Sequence, residues 1–330
     1  MEQVSIANSK IHVINPGHID LGLDFSYVLD LIGLWNTTRL FDSLEMSGIV
    51  CPLVAVDTDL STRKGSLKLI DGFKRLEWAR QKDLEKIPVA TVHMTNMDLL
   101  VFFLSKYGPM LKSCVSKALF LRFLLKVGAN RQAVVDKAMK SLGLQAHKGL
   151  LEKYLRIAQL PERFLAFCHK KDFSLKRCLN FTYQPRALLE RIMDLEGQIS
   201  LSASLLQEVC DSISEIIRRK EIDVEEFFQL DEIKGIIDSD LECSYKTGLL
   251  RQAIRRLRYP AVTRIQKELC DIEKQYLASL PFKVKWDETL ENRKLIITAS
   301  IKQIDEFSRL RASFSSPEAK EGIKRLLSYF

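Results

Sequence analysis

The sequence predicts an α+β protein, mostly helical, in three parts. Three observations carry this. Strand-like and helix-like stretches alternate up to residue 110, apolar residues recur at helical spacing from Met97 onward, and two short alternating stretches near the end read as a hairpin. The expected division is a mixed α/β domain over 1–110, a helical domain over 111–185 and a second helical domain over 186–330 that closes with the hairpin. A length of 330 residues accommodates two or three domains of ordinary size.

In the first part, Lys10–Ile14 alternates and ends on Asn15-Pro16-Gly17, a turn signal. Thr38–Ser47 reads as a short helix with Leu40, Phe41 and Leu44 on one side, stopped by Gly48. Pro52–Val56 and Leu67–Ile70 are candidates for buried strands. Asp71-Gly72 then turns the chain into a helix, Phe73–Gln81, and Ile87–Val92 closes the series as a strand. Because strands and helices alternate, the sheet is expected to be at least partly parallel. Asp57, Asp59 and Asp71 read as turn residues rather than metal ligands.

In the second part, Arg131–Ser141 is a helix with Val134, Val135, Ala138 and Leu142 at helical spacing, stopped by Gly143. A second helix from Ala146 to Gln159 carries Leu150, Leu151, Tyr154, Leu155 and Ala158 on its inner face and ends at Pro161. Two short helices joined through a glycine-containing turn make a helix-turn-helix candidate. Gln184-Pro185 marks the next boundary. Amphipathic helices are expected beyond it at Ala187–Glu196, Ser202–Arg219, Tyr245–Arg258 and Ala261–Ser279. Strands at Phe282–Trp286 and Lys294–Ala299, around a Glu291-Asn292 loop, precede two closing helices.

The net charge of +8 is unevenly spread. Residues 1–110 and 186–330 are close to neutral, whereas 111–185 carry 15 Lys+Arg against 4 Asp+Glu, a local excess of +11. A solvated surface normally mixes both signs, so a one-sided block that coincides with a helix-turn-helix candidate points to a polyanion, duplex DNA. In such a motif the second helix enters the major groove and its first turns reach base edges. Here that leading end is Gln145-Ala146-His147-Lys148. Gln145 suits adenine, Lys148 suits guanine or a phosphate, and His147 stands beside them. Lys153 and Arg156 fall later on the helix and suit phosphates, as do Arg131 and Gln132 at the start of the first helix.

The chain's seven cysteines are scattered singly, with no Cys-x-x-Cys pair and no histidine at zinc-ligand spacing. Reduced thiols in a cytoplasmic protein are expected, with no metal site. No stretch approaches the roughly 18 consecutive apolar residues of a membrane span. Met1–Ser5 shows no basic segment leading into an apolar run, so no signal peptide is expected.

Several of these stretches, in this order, resemble the ParB family. Gly48-Ile49-Val50-Cys51-Pro52-Leu53-Val54 is similar to the first box of ParB-type domains. Leu69-Ile70-Asp71-Gly72-Phe73-Lys74-Arg75-Leu76-Glu77-Trp78-Ala79 is similar to the second, and Ile87-Pro88-Val89 to the strand after it. The helix-turn-helix follows in its family position, and Leu155-Arg156-Ile157-Ala158-Gln159-Leu160-Pro161-Glu162 resembles its exit. The resemblance covers roughly residues 10–180 and leaves 186–330 without a counterpart.

The resemblance implies a ParB/sulfiredoxin-like N-terminal domain followed by a ParB-type DNA-binding domain. It also implies a nucleoid-associated homodimer acting on double-stranded DNA in plasmid or chromosome partition, with a partition ATPase as partner. It further implies CTP, with Mg2+, held at Gly72, Lys74 and Arg75, where a glycine lets backbone approach a phosphate and a helix N-terminus faces it. The chain departs from the family pattern at this point. Phe73 and Lys74 stand where Glu and Arg are usual, Glu77 replaces a common Arg, and the Glu-Asn pair expected near Leu104–Gly108 is missing. These departures speak against CTP hydrolysis. They leave as alternatives a nucleotide-independent helix-turn-helix regulator, or an enzyme (nuclease or nucleotide hydrolase) on the same scaffold. The loop Gly72-Phe73-Lys74-Arg75 contains no cysteine, so sulfiredoxin chemistry lacks its nucleophile.

Overall fold

A computed structural model describes residues 10–21, 25, 28, 29, 37–56, 67–200, 202–287, 290–292 and 294–330. Met1–Ser5 and the turn residues Asp57 and Asp59 lie outside the described residues. The chain divides into two compact units, Met1–Glu196 with Leu201–Cys210, and Gly197–Ser200 with Asp211–Phe330. The stretches 1–110 and 111–185 therefore share the first unit.

In the first unit, a five-stranded mixed sheet has the order β1-β5-β3-β4-β2. The strands are β1 (Lys10–Ile14), β2 (Ile19–Asp20), β3 (Leu53–Val56), β4 (Leu67–Asp71) and β5 (Ile87–Val92). β3 runs parallel to β5 and β2 parallel to β4, while β1/β5 and β3/β4 are antiparallel. The partly parallel sheet expected from the alternation is present. Its central strands are apolar on both faces, with Leu53, Ala55, Val56, Leu69, Ile70 and Val89 buried, as a covered sheet requires. Helices α1 (Thr37–Ser47) and α2 (Phe73–Gln81) lie against each other beside it. Trp78 Nε1 on α2 donates to Glu45 Oε1 on α1 at 3.2 Å.

α3 (Asn96–Tyr107) opens with a reciprocal cap, in which Thr95 Oγ1 accepts from Asp98 N and the Asp98 carboxylate accepts from Thr95 N. α4 (Cys114–Lys126) is apolar on most sides and largely buried. Phe103 and Tyr107 of α3 and Phe120 and Phe123 of α4 gather around Phe25, with ring centroids 4.9–6.2 Å apart. This one core thus draws on residues from both sides of position 110.

The expected helix Arg131–Ser141 is present with a difference. Only Arg131–Ala133 is α-helical at its start; Val134–Met139 widen into a π-helical stretch, and residues 140–141 return to α. The widened turn brings Val134, Val135, Ala138 and Met139 inward together, and all four are buried. This segment, α5, ends where Gly143 takes φ +69°. The second helix, α6, is Lys148–Ile157 and shorter than the expected Ala146–Gln159. His147 is its N-cap in extended conformation, and Gln145 and Ala146 belong to the turn. Its buried side is Leu151, Tyr154 and Ile157, with Ala158 beyond the end, while Leu150 and Leu155, expected inside, are half-buried.

Pro161 begins the next helix as its N-cap: α7 (Glu162–Lys170) follows, then α8 (Leu175–Phe181) and α9 (Arg186–Asp194). Phe164, Phe167, Phe173 and Phe181 form a second aromatic core beneath α7 and α8. α10 (Ala203–Lys220) contributes its first turns to the first unit and the rest to the second.

The second unit contains α11 (Val224–Gln229), α12 (Asp231–Ile237), α13 (Cys243–Arg258) and α14 (Pro260–Tyr276), then the antiparallel hairpin of β6 (Lys283–Trp286) and β7 (Leu295–Thr298). α15 (Ile304–Phe314) and α16 (Pro317–Leu327) close it. Leu269, Leu277, Phe282, Val284, Leu310, Ala319 and Leu326 make its terminal core. The fold is α+β and mostly helical, as the sequence predicts. Among the described residues, no helix is long and apolar enough to cross a membrane.

Candidate nucleic-acid interface and anion cradle

The α5–α6 pair is assembled by its apolar side and leaves its polar side outward. α6 is seated on α4, and Arg122 of α4 donates to the Ala158 carbonyl, fixing the C-terminal end of α6. Gln145, Ala146, His147 and Lys148 are all exposed, so the leading end of the helix faces solvent. The His147 ring folds back over the first turn: a Cβ built at Gly149 would come within 2.9 Å of His147 Cε1. Glycine at 149 leaves room for that ring.

Lys148, Glu152 and Arg156 follow one another at four-residue spacing and share a ridge. Arg131 of α5 pairs with Glu152 at the middle of that ridge. The carboxylate is thereby compensated and the ridge stays cationic. Lys153 is exposed alongside it, and among the described residues no carboxylate pairs with Lys148 or Lys153. Gln132 donates to Asp136 Oδ2 at 2.8 Å within its own helix. At the far end, Arg156 donates to Thr182 Oγ1 at 3.0 Å and Tyr183 Oη at 3.3 Å, and its guanidinium lies 4.5 Å from the Tyr183 ring centroid. Sequence reasoning did not single out Thr182 or Tyr183. They lie 26 and 27 residues from Arg156, and no local pattern links them.

The second candidate site is the turn from β4 into α2. Gly72 takes φ +95° at the N-cap of α2, with the Leu53 side chain 2.8 Å from where a Cβ would stand. Arg75 does not project from this turn. It donates to the carbonyls of Cys51 and, at 3.1 Å, Pro52, and reaches Asp71 Oδ2 at 3.4 Å. Lys74 pairs with Glu77 at 2.9 Å. Asp71, read from sequence as a plain turn residue, is the hub: its Oδ1 accepts from Gly72 N at 2.7 Å and pairs with Lys106 of α3. The Lys106 ammonium also lies 5.0 Å from the Tyr107 ring centroid. Lys106 comes from the Leu104–Gly108 stretch, which lacks the Glu-Asn pair, and no local pattern in the sequence singles it out.

Gly72, Lys74, Arg75 and Lys106 line a cavity of about 120 Å³ with Asp71 among them. Pockets for small molecules typically run from about 300 to 1,000 Å³. Asp71 already pairs with Arg75 and Lys106 here, so an anion entering the turn would have to displace its carboxylate from them.

The chain is similar in structure to ParB proteins. One is the C-terminally truncated chromosome-partitioning protein ParB from Caulobacter crescentus complexed with CTP-gamma-S, 13% identical over 56% of this chain and 99% of that one, with a TM-score of 0.23. The same truncated protein complexed to the centromeric parS site is 12% identical, covering 61% of this chain and 98% of the other, with a TM-score of 0.27. The pNOB8-like ParB N-domain is 11% identical, covering 76% and 91%, with a TM-score of 0.31. No family model matches the chain, and no curated protein does. Likenesses this distant bear on neither site, so the functional reading rests on the chain's own residues.

Proposed function

We propose that the protein is a ParB-like, helix-turn-helix binder of double-stranded DNA, acting in plasmid or chromosome partition or in transcription control beside it. The observation that carries this reading is the exposed leading end of α6, Gln145 to Lys148, on a helix whose opposite side is buried and whose segment carries the +11 excess. Gln145 and Lys148 are the base-reading candidates, with His147 beside them. Arg131, Gln132, Lys153 and Arg156 are the phosphate-side candidates, Arg156 being pre-oriented by Thr182 and Tyr183. A homodimer on the nucleoid, with a partition ATPase as partner, completes the reading by family resemblance.

The test is a shift assay across salt. Binding through six to ten phosphates should weaken roughly 1,000- to 100,000-fold between about 50 and 200 mM salt, and Lys153→Ala should lower the log–log slope by about 0.9. A flat salt response refutes the reading.

A second reading is a regulator that works without nucleotide. It is favoured by the Asp71 carboxylate set among Arg75 and Lys106. Calorimetry of CTP with Mg2+ against the protein and its target DNA separates the two: heat of binding supports the partition-type reading, and its absence supports the regulator.

A further inference from the structure

The second unit contains a wide groove of about 910 Å³ between the end of α13, one face of α14 and strand β6. Five cations line it, Arg255, Arg256, Lys267, Lys274 and Lys285, against two acids, Asp271 and Glu273. Arg256 is paired with Glu232 on α12. Lys267 and Lys274 are seven residues apart, hence on one face of α14 and about 10 Å apart along its axis. Two aromatic side chains share the groove with them: Tyr259 at the α13–α14 junction, 43% exposed, and the half-buried Trp286 on β6. The unit containing this groove is otherwise nearly balanced in charge, so the cations are concentrated here by folding rather than by composition.

A row of cations beside aromatic faces is what an unpaired nucleic-acid strand needs, since its bases are free to stack. The cations track its phosphates and the rings accept its bases by stacking. We propose that this groove binds single-stranded nucleic acid, with Lys267, Lys274 and Lys285 on the backbone and Trp286 under a base. An acidic peptide would use the cations equally well but would give Tyr259 and Trp286 nothing planar to stack on. The site lies wholly within the second unit and does not depend on how α6 reads duplex DNA.

The experiment is fluorescence anisotropy of the full chain with a labelled oligothymidylate longer than about 16 nucleotides, the upper end of such sites. Parallel arms use a duplex of equal length, and poly-glutamate as competitor. The wild type should bind both the single strand and the duplex, the duplex through α6. Lys267→Ala with Lys274→Ala should lower the log–log salt slope by about 1.4. These two side chains are exposed, so their loss leaves the fold intact. Trp286→Ala should weaken binding about fivefold to a hundredfold. Because Trp286 also packs on the terminal core, Trp286→Phe is the second variant. It should retain binding and abolish the quenching of indole fluorescence that the wild type shows on titration.

A Lys148→Glu, Lys153→Glu protein should keep single-strand binding while losing duplex binding. The proposal is overturned if the lysine pair leaves single-strand affinity and salt slope unchanged. It is equally overturned if the α6 variant alone abolishes single-strand binding, or if poly-glutamate competes as well as the oligonucleotide.

Discussion

Replacing Gly72 with alanine separates packing from ligand approach at the β4–α2 turn. Two costs add. The φ of +95° lies in the left-handed region, which costs an L-residue about 1–2 kcal/mol. The new Cβ would also stand 2.8 Å from Leu53 Cγ and 3.1 Å from Arg75 Nη2. Leu53 is fully buried in β3 and Arg75 is tied to two carbonyls, so neither moves freely; overpacking of this kind costs about 1–3 kcal/mol. Together the expected destabilisation is about 2–5 kcal/mol, which at an m-value near 2 kcal/mol per molar lowers the urea midpoint by about 1–2.5 M. Gly143→Ala is the control. Its φ of +69° carries the conformational cost, but nothing lies within 4 Å of its added Cβ, so about 1–2 kcal/mol is expected. Urea unfolding would be followed by tryptophan fluorescence in a Trp286→Phe background, which confines the signal to Trp35 and Trp78 of the first unit, the latter on α2 itself. If the two alanine variants fall within about 0.5 kcal/mol of each other, the packing account of Gly72 is wrong.

Three further outcomes are expected. Leu151→Ala, at a position 1% exposed on the inner side of α6, should cost about 2–5 kcal/mol in the same unfolding assay, whereas an exposed change such as Lys153→Ala should be nearly neutral. The Thr95 hydroxyl first, and its backbone N–H second, hold the Asp98 carboxyl below its usual pKa. Its folded value is depressed, so its contribution is present above about pH 4, is lost as pH falls through the folded value, and should be missing at all pH in Asp98→Asn. Contact with Cys178 and then burial push the Cys114 thiol far above its ordinary range. Iodoacetamide mapped by mass spectrometry should therefore label exposed Cys51, Cys243 and Cys270 rapidly in the native protein, and Cys114, Cys168 and Cys178 only after unfolding.

The strands and the helices around Gly72 were legible because each is set by local pattern: apolar runs of four to six residues, a glycine at the turn, a proline or glycine at the stop. The α5–α6 pair was legible as two periodic segments, and the basic segment as a charge count. Its details were not. The π-helical stretch at Val134–Met139 answers to a packing demand, since helical spacing alone puts Val134, Val135 and Ala138 on one side of an ordinary α-helix too. Ala146 and His147 fall inside the second helix that the sequence predicts, yet the helix begins at Lys148 and His147 takes an extended N-cap conformation. Lys106 meets Asp71 across 35 residues, and Arg75 turns to the carbonyls of Cys51 and Pro52 across 24 and 23. Such meetings are products of strand order, which no window of sequence encodes. The groove beside Trp286 was invisible for the same reason, because its cations are diluted by acids along the chain and separated from them only in space.

The ring cluster centred on Phe25 has a mechanical consequence. Tyr107 follows Lys106 directly in the chain, and its ring meets Phe120 on the helix that seats α6. A hinge between the sheet and α6 would have to pull apart interlocked aromatic faces. From the Asp71–Lys106 pair the packing therefore continues without a break through Tyr107 and Phe120 to the helix on which α6 rests.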